Sequence, residues 1–463
     1  MLPGNLKGPE ENSPVPKLDL PCGRFSNGAR HPITTMKLET LCLHAGYQSD
    51  PTTHACAVPV YRTASYVFDS TEHAANLFAL RELGNIYTRL MNPTHDVLEQ
   101  RVAALEGGAA GLAVSSGTSA IFYSIINLAQ AGDNIISARN LYGGTYTQFK
   151  DILPALGIEV RFVDSIDPKN FAAAADEKTR AFFCESVSNP ALEVSDLKAI
   201  ADSAHALGLP LIVDSTFSTP YLTKPIEFGA DIVVHSLTKW LGGHGTGIGG
   251  IVIDSGTFNW AGGKHPLFDQ PDNSYHGLRW GHDLPAPLAP LAYILRMRTG
   301  PLRNLGACIS PDNAWIALQG IETLPLRMER HCENSLATAK HLQGHPAVEW
   351  VRYPGLPGDP QHAMNGKYLR GMGGSMVVFG IKGGAKAGGR FIDSLQLFKH
   401  LANVGDAKSL AIHPASTTHS QLSEEQQRAG GIPPELIRLS IGIEHIDDIL
   451  ADLDQALAVA VQS

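Results

Sequence analysis

The sequence predicts an α/β protein whose main sheet is mostly parallel, and three observations lead to that fold class. Short apolar runs alternate with amphipathic segments from about Leu98 onward. The chain has 463 residues, more than one ordinary core holds, so two or more packed units are expected. Hydrophobic residues make up 43% and charged residues 17%, as in globular rather than disordered proteins. Strands that alternate with helices form a mostly parallel sheet covered on both faces.

The individual elements follow from these runs. The predicted strands are "GLAVSS" (111–116), "DNIISA" (133–138), "IEVRFVD" (158–164), "RAFFCES" (180–186), "LPLIVDS" (209–215), "DIVVH" (231–235) and "GGIVID" (249–254). The segment "GTSAIFYSIINLAQAG" has apolar residues near helical spacing and stops at Gly132. A second helix is predicted in "SDLKAIADSAHALG", with Ser195 as its N-cap and Gly208 as its C′ residue. After about Pro311 a long helical region, the strands "SMVVFGI" and "LIRLSIGI" and a final amphipathic helix predict a second, smaller α/β domain.

Composition excludes several classes of function. Acidic residues (45) outnumber basic ones (36), the net charge is −9, and no basic block exists, so nucleic acids and anionic membranes are not expected partners. The six cysteines include no C-x-x-C pair, which predicts reduced thiols in a cytoplasmic protein. No apolar run reaches the roughly 18–20 residues of a membrane-spanning helix. The N-terminal stretch has no apolar core typical of a signal peptide, and residues 1–36 are predicted to be a disordered extension.

The glycine-rich segment "HSLTKWLGGHGTGIGG" (235–250) raises the question of which ligand it serves. Gly245, Gly247 and Gly250 satisfy G-x-G-x-x-G, but a dinucleotide loop must open a helix, and here a strand follows. A Walker loop is also excluded, because "GGK" (262–264) continues with histidine. The segment therefore needs an explanation built on its lysine.

Polar side chains follow four of the predicted strands at the ends where ligands of such sheets bind. Ser116–Thr118 begin a helix, Glu185–Asn189 offer an amide, Asp214 offers a carboxylate, and Ser236–Lys239 combine hydroxyl groups with a lysine. Tyr142 in "NLYGGTY" could stack on an aromatic ring. A Schiff-base lysine, a phosphate site at a helix start and an acid for a pyridinium nitrogen are what pyridoxal 5′-phosphate (PLP) requires.

With these motifs, the sequence resembles the cystathionine γ-synthase family of PLP-dependent enzymes, most of all its O-acetylhomoserine sulfhydrylase branch. The resemblance runs from about Leu38 to the C-terminus. It rests on "YTRLMNPT", "SSGTSA", "ESVSNP", "VDSTFSTP", "HSLTKWLGGHGTGIGG", "NVGDAKSLAIHPASTTHSQL" and "IRLSIGIEHIDDI", in that order. It implies a fold-type I PLP-dependent transferase with a mostly parallel seven-stranded sheet domain and a smaller C-terminal α/β domain.

The resemblance also implies roles for individual residues at the cofactor. Lys239 would form the Schiff base and act in catalysis with Tyr142, which stacks on the ring, and Asp214, which pairs with the pyridinium nitrogen. Asn189 would reach the ring hydroxyl. The phosphate would be held by Gly117, Thr118, Ser236 and Thr238.

Substrate and subunit contacts are implied in the same way. Arg438 would clamp the α-carboxylate of the substrate with help from Ser409, and Tyr61 would line the substrate pocket. Tyr87 and Arg89 would cross to the phosphate of the neighbouring subunit. A homodimer would then be the minimal active unit, and such enzymes are commonly tetramers.

The predicted organisation has four parts: the extension 1–36, an arm 37–97 that reaches the neighbouring subunit, a PLP-binding domain 98–311 and a C-terminal domain 312–463. No metal is expected, because none of the candidate histidines has the i, i+4 spacing of a helical metal site, and they are interpreted as structural hydrogen-bonding groups. These histidines are His235, His244, His413 and His419.

The implied reaction is a γ-replacement in methionine biosynthesis. It converts O-acetyl-L-homoserine and sulfide, or methanethiol, to L-homocysteine, or L-methionine, and acetate. A cystathionine γ-synthase, an O-succinylhomoserine sulfhydrylase and a methionine or cystathionine γ-lyase stay open as alternatives. Arg62, where relatives often have glutamine, leaves the substrate preference open. Outside the family, the strand that follows the glycines argues against a nicotinamide-dependent oxidoreductase, and Lys239, Asp214 and Arg438 argue against a non-catalytic binding protein.

Overall fold

The computed structural model describes residues 36–417, 425 and 431–461 of the chain. The predicted N-terminal extension, apart from Met36, and His419 lie outside the described residues.

The larger sheet has seven strands, which correspond to the seven apolar runs. In chain order these are β1 (Ala110–Val114), β2 (Asn134–Ala138), β3 (Glu159–Val163), β4 (Thr179–Glu185), β5 (Leu211–Asp214), β6 (Ile232–Ser236) and β7 (Gly250–Asp254). Their spatial order is β1-β7-β6-β5-β4-β2-β3. Strand β7 runs antiparallel to both of its neighbours, and the other pairings are parallel. The mostly parallel α/β sheet predicted from the sequence is confirmed.

This strand order places the polar strand ends at one edge. Strands β1, β4, β5 and β6 all run in the same direction. Strand β7 lies between β1 and β6 and is antiparallel to both, so β1 and β6 are parallel to each other, and β4, β5 and β6 pair in parallel. Gly250, at the start of β7, is paired through its Cα with both Val114 and Ser236. The residues that follow β1, β4, β5 and β6 therefore meet at the same edge of the sheet.

A second sheet of five strands is formed by the C-terminal part of the chain. It consists of β8 (Val348–Arg352), β9 (Met376–Ile381), β10 (Lys399–His400), β11 (Leu410–Ile412) and β12 (Leu436–Ser440). Its order is β10-β11-β12-β9-β8, with β10 and β11 parallel and the other pairs antiparallel. A second hydrophobic cluster forms around this sheet, and Ile437, Val377 and Phe379 are fully buried in it.

Helices pack against both sheets. The longer α-helices are α1 (Leu38–His44), α2 (Thr71–Phe78), α3 (Pro93–Glu106), α4 (Gly117–Ile126), α5 (Leu197–His205), α6 (Pro311–Glu322), α7 (Leu324–Gly344), α8 (His362–Tyr368), α9 (Gly384–Ser394) and α10 (Ile446–Ala460). Short α-helices lie at Gly143–Thr147, Leu153–Ala155, Lys169–Ala174, Thr219–Leu222, Pro266–Asp269, Ala292–Met297 and Arg303–Leu305. Among the described residues, no helix is long and apolar enough to cross a membrane.

Helix α5 corrects the prediction of its caps. The N-cap is Asp196, whose side chain accepts a hydrogen bond from the backbone N–H of Ala199, and not Ser195. The Ser195 hydroxyl donates instead to the backbone oxygen of Glu185, 2.7 Å away, because Ser195 still belongs to the loop that packs on the end of β4. Gly208 does adopt the left-handed conformation (φ +69°), but the helix already ends at the C-cap Ala206.

Candidate active site

A cavity of about 240 Å³ lies where β4, β5 and β6 end, between the large sheet and strand β12. Most of the site residues predicted from the sequence line it. They are Gly117, Thr118, Tyr142, Asn189, Asp214, Ser236, Thr238, Lys239 and Arg438. Residues separated by more than 300 positions in the chain are thus brought to one place.

Lys239 lies in the helical turn Leu237–Leu241, directly after β6. Its own backbone (φ −89°, ψ −138°) departs from helical values. The Nζ of Lys239 donates a hydrogen bond to Oδ1 of Asn403. Burial, and next the positive charge of Arg438, lower the pKa of Lys239 to about 8. A substantial share of this amine is therefore neutral, and able to act as a nucleophile or base, at a pH where an exposed lysine is almost fully charged.

The glycines around Lys239 are explained by close backbone approach rather than by a nucleotide. A Cβ added at Gly250 would lie 2.1 Å from the backbone oxygen of Ser116, and one added at Gly117 would lie 2.7 Å from Cβ of Ser236. Glycine at both positions lets the end of β6 and the start of α4 come together. The glycines therefore serve close packing, which brings Ser236 against a helix start, and they do not form a nucleotide loop.

That helix start offers donors for an anion. Helix α4 begins at Gly117, and the side chain of its N-cap, Ser116, accepts from the backbone N–H of Ser119. The backbone N–H groups at a helix N-terminus and the helix dipole favour a phosphate there. Ser236 and Thr238 line the same cavity, and the Thr238 hydroxyl also accepts the backbone N–H of Gly249 at 3.2 Å. This set of neutral donors fits a phosphate group.

Asp214 ends β5 on the side of the cavity away from this helix start. Its Oδ1 accepts hydrogen bonds from the hydroxyl of Thr216 (2.5 Å) and from the backbone N–H of Thr216 (3.0 Å). Burial raises the pKa of Asp214, while these hydrogen bonds and the nearby His235 ring oppose the rise. Within the described residues Oδ2 accepts no hydrogen bond, and a partly buried carboxylate of this kind fits a protonated ring nitrogen, because that partner would supply the missing positive charge.

Arg438 and Asn189 join the two halves of the site. Arg438 lies on β12 of the small sheet, and its Nη1 donates to Oδ1 of Asn189 at 3.0 Å. The Arg438 side chain is only 9% exposed, and burial lowers its pKa to about 10, with Tyr142 opposing the shift. No carboxylate among the described residues forms an ion pair with it. A buried guanidinium without an acidic partner fits a substrate carboxylate.

Tyr142 lies at the mouth of the cavity and is half exposed. It is the N-cap of the short helix Gly143–Thr147, and its backbone N–H donates to Oε1 of Glu185 at 2.6 Å. A Cβ added at Gly144 would lie 2.6 Å from the Tyr142 ring, so this glycine leaves room for the ring to fold over the helix start.

Four predicted site residues do not line this cavity. The Ser409 hydroxyl donates to Glu444 and accepts from the backbone N–H of Gly442, so its hydrogen bonds are made elsewhere. The Tyr61 hydroxyl donates to Oδ2 of Asp50 at 3.2 Å, in the arm. Tyr87 and Arg89 are also in the arm, both are exposed, and the guanidinium carbon of Arg89 lies 5.2 Å from the Tyr87 ring centre. The roles expected for these four residues stay predictions.

Some cavity residues were not singled out from the sequence. Glu185, Asn403, Thr216 and Phe217 line the cavity, and the first three hydrogen-bond to Tyr142, Lys239 and Asp214 respectively. Each lies in a motif that carries the resemblance: "ESVSNP", "NVGDAKSL" or "VDSTFSTP". The signal was therefore present, but only their spatial neighbours reveal what these side chains contact.

The candidate histidines are hydrogen-bonded as predicted where they are described. His235 lies 2.6 Å from Oε1 of Glu106 with both side chains fully buried, while His244 and His413 contact the backbone oxygens of Gly242 and Pro434. Within residues 36–417, 425 and 431–461, no group of three or more histidine, cysteine, aspartate or glutamate side chains is arranged to hold a metal ion.

Comparisons with known proteins agree with this geometry. A family model for Cys/Met metabolism PLP-dependent enzymes matches residues 39–458. An O-acetyl-L-homoserine sulfhydrylase of Leptospira meyeri is 56% identical over 91% of this chain and 96% of its own length. One from Thermus thermophilus is 55% identical over 91% of this chain and all of its own length.

A similar fold is found among solved structures. A chain from Campylobacter jejuni, assigned as an O-acetylhomoserine (thiol)-lyase, superimposes with a TM-score of 0.87 at 43% identity. The match covers 91% of this chain and 100% of that one, which carries a pyridoxyl-lysine phosphate. The parallel sheet, the lysine after β6 and the full-length match lead to one conclusion: this chain belongs to the Cys/Met metabolism family of PLP-dependent enzymes.

Proposed function

We propose that this chain is an O-acetylhomoserine sulfhydrylase, a PLP-dependent transferase that converts O-acetyl-L-homoserine and sulfide to L-homocysteine and acetate. The observation that carries the proposal is identity of 55–56% to two curated O-acetyl-L-homoserine sulfhydrylases along 91% of the chain. Methanethiol in place of sulfide would give L-methionine.

PLP fits the cavity, and the residues proposed to hold it are those already placed there. The backbone N–H groups of Gly117 and Thr118 and the hydroxyls of Ser236 and Thr238 would bind its phosphate. Tyr142 would cover the ring, Asn189 would reach the ring hydroxyl, and Asp214 would hold the proton on the ring nitrogen. When bound, the cofactor supplies an electron sink that acidifies the Cα and Cβ protons of an amino-acid substrate.

The proposed work of the protein is binding and proton transfer. Arg438 binds the α-carboxylate of the substrate through its planar guanidinium, and Asn189 holds that guanidinium in place. Lys239 would hold the cofactor and, once the substrate amine displaces it, would remove the Cα proton. Because a neutral amine holds one proton at a time, Nζ would pass this proton to the cofactor before it removes a Cβ proton, and its lowered pKa leaves it free to accept each in turn. Acetate would then leave from Cγ with the bonding electron pair, hydrosulfide would add to the γ carbon, and Lys239 would return one proton to Cβ and one to Cα.

The assembly of the enzyme and its compartment are also proposed. Tyr87 and Arg89 serve the phosphate site of a neighbouring subunit, so that a homodimer is the minimal active unit and a tetramer the expected assembly. The enzyme is proposed to act in the cytoplasm, in agreement with its cysteine usage. The division into domains at residues 98 and 312 belongs to this proposal as well.

A steady-state assay with two esters and two nucleophiles tests the function. O-acetyl- and O-succinylhomoserine are each supplied with sulfide and with cysteine, and homocysteine, cystathionine and released acid are measured. We expect kcat/KM to be highest for the acetyl ester with sulfide. A preference for cysteine would make the enzyme a cystathionine γ-synthase, and a preference for the succinyl ester an O-succinylhomoserine sulfhydrylase. Release of ammonia without a nucleophile would indicate a γ-lyase.

A further inference from the structure

Glu185 is a buried carboxyl group in the cavity to which the proposed mechanism gives no role. It is the last residue of β4, only 6% exposed, and its Cα is paired with that of Asp214 on β5. Its Oε1 accepts the backbone N–H of Tyr142 at 2.6 Å. Its own backbone oxygen accepts the hydroxyl of Ser195 at 2.7 Å, which fixes the end of β4.

The hydrogen bond from Tyr142 to Glu185 fixes the backbone where the loop after β2 becomes helical. Leu141 before it is buried, whereas Tyr142 itself is 50% exposed, and the helical segment begins at Gly143. Strand β2, from which the loop comes, is the neighbour of β4, so the Glu185 side chain spans from one strand end to the loop of the next. Gly144 leaves space for the Tyr142 ring but does not hold it.

The charge state of Glu185 is set by its neighbours. Burial, and next the charge of Asp214, raise the pKa of Glu185 well above its ordinary value. Backbone hydrogen bonds from Tyr142 and Asn189 oppose this shift, as hydrogen bonds from Thr216 and the His235 ring oppose the smaller rise in the pKa of Asp214. Two adjacent carboxyl groups do not both ionise readily, which favours the neutral form of Glu185.

We propose that Glu185 is a positioning residue, which fixes the backbone at Tyr142 and through it the aromatic ring that covers the cofactor. This inference rests on the proposed function in one respect, the contact between Tyr142 and the cofactor. The carboxyl acts as a hydrogen-bond acceptor and not as a charge. A glutamine keeps an acceptor oxygen at the same reach, whereas aspartate is one methylene shorter and alanine has no acceptor.

The test compares Glu185→Gln, Glu185→Asp and Glu185→Ala as PLP-loaded proteins. The readouts are the visible circular dichroism of the bound cofactor, its dissociation constant and the kcat and KM of the sulfhydrylation. We expect E185A and E185D to lose most of the visible circular dichroism and roughly 10- to 100-fold in kcat, because a misplaced group at a reacting centre is costly. E185Q should retain most of both. Glu159→Ala, an exposed glutamate of β3, is the matched control.

A double substitution shows whether Glu185 acts through Tyr142. If it does, adding E185A to a Tyr142→Ala protein has little further effect on either readout, because coupled residues are not additive. Full additivity would overturn the proposal, as would an E185Q protein as impaired as E185A, since the carboxylate charge would then be required. If E185A fails to fold, E185D and E185Q still separate the two outcomes. The circular dichroism signal reports on the cofactor even if the preferred substrate is not O-acetylhomoserine, so the two proposals fail independently.

Discussion

The cavity edge of the large sheet and the arm 37–97 differ in how far their side chains are buried and hydrogen-bonded within one chain. At the cavity edge, residues at the ends of β4, β5 and β6 and on β12 are buried or partly buried. Arg438 hydrogen-bonds to Asn189, and Thr216 hydrogen-bonds to both Asp214 and Ser236. In the arm, Tyr87 and Arg89 are exposed. Large apolar side chains of the arm are exposed as well, among them Val67 at 96% and Leu83 at 62%. Both side chains belong to the part of the chain that is proposed to contact a neighbouring subunit. The first region is hydrogen-bonded within the chain, whereas the second is the one whose proposed role depends on a partner.

The strongest test of the cavity edge is Lys239→Ala. Because the proposed mechanism uses this amine to bind the cofactor and to move each proton, we expect turnover to fall by about 10³-fold or more. The visible absorbance of the bound cofactor should be lost or shifted. Lys264→Ala is the matched control, since Lys264 is exposed in a loop, and it should keep both colour and activity. Borohydride reduction that labels a different lysine would contradict the assignment.

Arg438→Lys separates substrate binding from cofactor binding at the same edge. Lysine keeps the charge but loses the planar pair of donors. We therefore expect kcat/KM to fall by an amount that corresponds to about 2–5 kcal/mol of lost transition-state stabilisation, while the cofactor stays bound. The measurement is a steady-state titration beside the visible spectrum. Arg279→Lys, an exposed arginine paired with Asp283, should change neither. An equal loss of cofactor would place Arg438 at the phosphate instead.

Mixed dimers test the arm directly. Lys239→Ala and Arg89→Ala are each expected to be nearly inactive. A dimer of one chain of each kind has one site with both defects and one with neither, if Arg89 serves its neighbour. Refolding the two variants together should therefore restore activity in about a quarter of the sites. Differential tags establish that mixed dimers form. Background activity in such dimers would show that Arg89 serves its own chain.

The pH dependence of cofactor capture probes the electrostatics of the cavity. Only the neutral amine of Lys239 reacts with the aldehyde of PLP, and its pKa in the cofactor-free chain is lowered to about 8. The capture rate should thus rise with pH through about 8 and level off above it, well below the range of an exposed lysine. Replacing Arg438 with glutamine removes a positive charge that lowers this pKa, so the midpoint should move to higher pH. An unchanged midpoint would remove Arg438 as a cause.

Ser409→Ala gives the smallest expected effect and sharpens the boundary of the cavity. The Ser409 hydroxyl bonds to Glu444 and to the backbone of Gly442, so its loss should lower the free energy of unfolding by about 1–3 kcal/mol. The KM for the amino-acid substrate should change little. A large rise in KM with unchanged stability would instead support the predicted contact between Ser409 and the substrate carboxylate.

The sequence alone determined the cofactor, the strands and about half of the residues that line the cavity. Apolar runs that alternate with helices predict a mostly parallel sheet, and such a sheet brings the ends of its strands together. Asp214, Ser236 and Lys239 can therefore be predicted from the sequence to share one site. The sequence predicts the N-cap of α5 at Ser195, one residue before the observed Asp196, because Ser and Asp are both good caps and only packing on β4 separates them.

Only the tertiary structure decided which side chains touch. The hydrogen bonds between Glu185 and Tyr142, Asn403 and Lys239, and Asn189 and Arg438 are seen only there. Each joins two segments whose separation along the chain does not indicate how close they lie in space. The tertiary structure also showed that the Ser409 hydroxyl hydrogen-bonds to Glu444. Patterns of residue type are local and can be recognised in the sequence. A hydrogen bond depends on distances of a few ångströms, which are set only when the chain is packed.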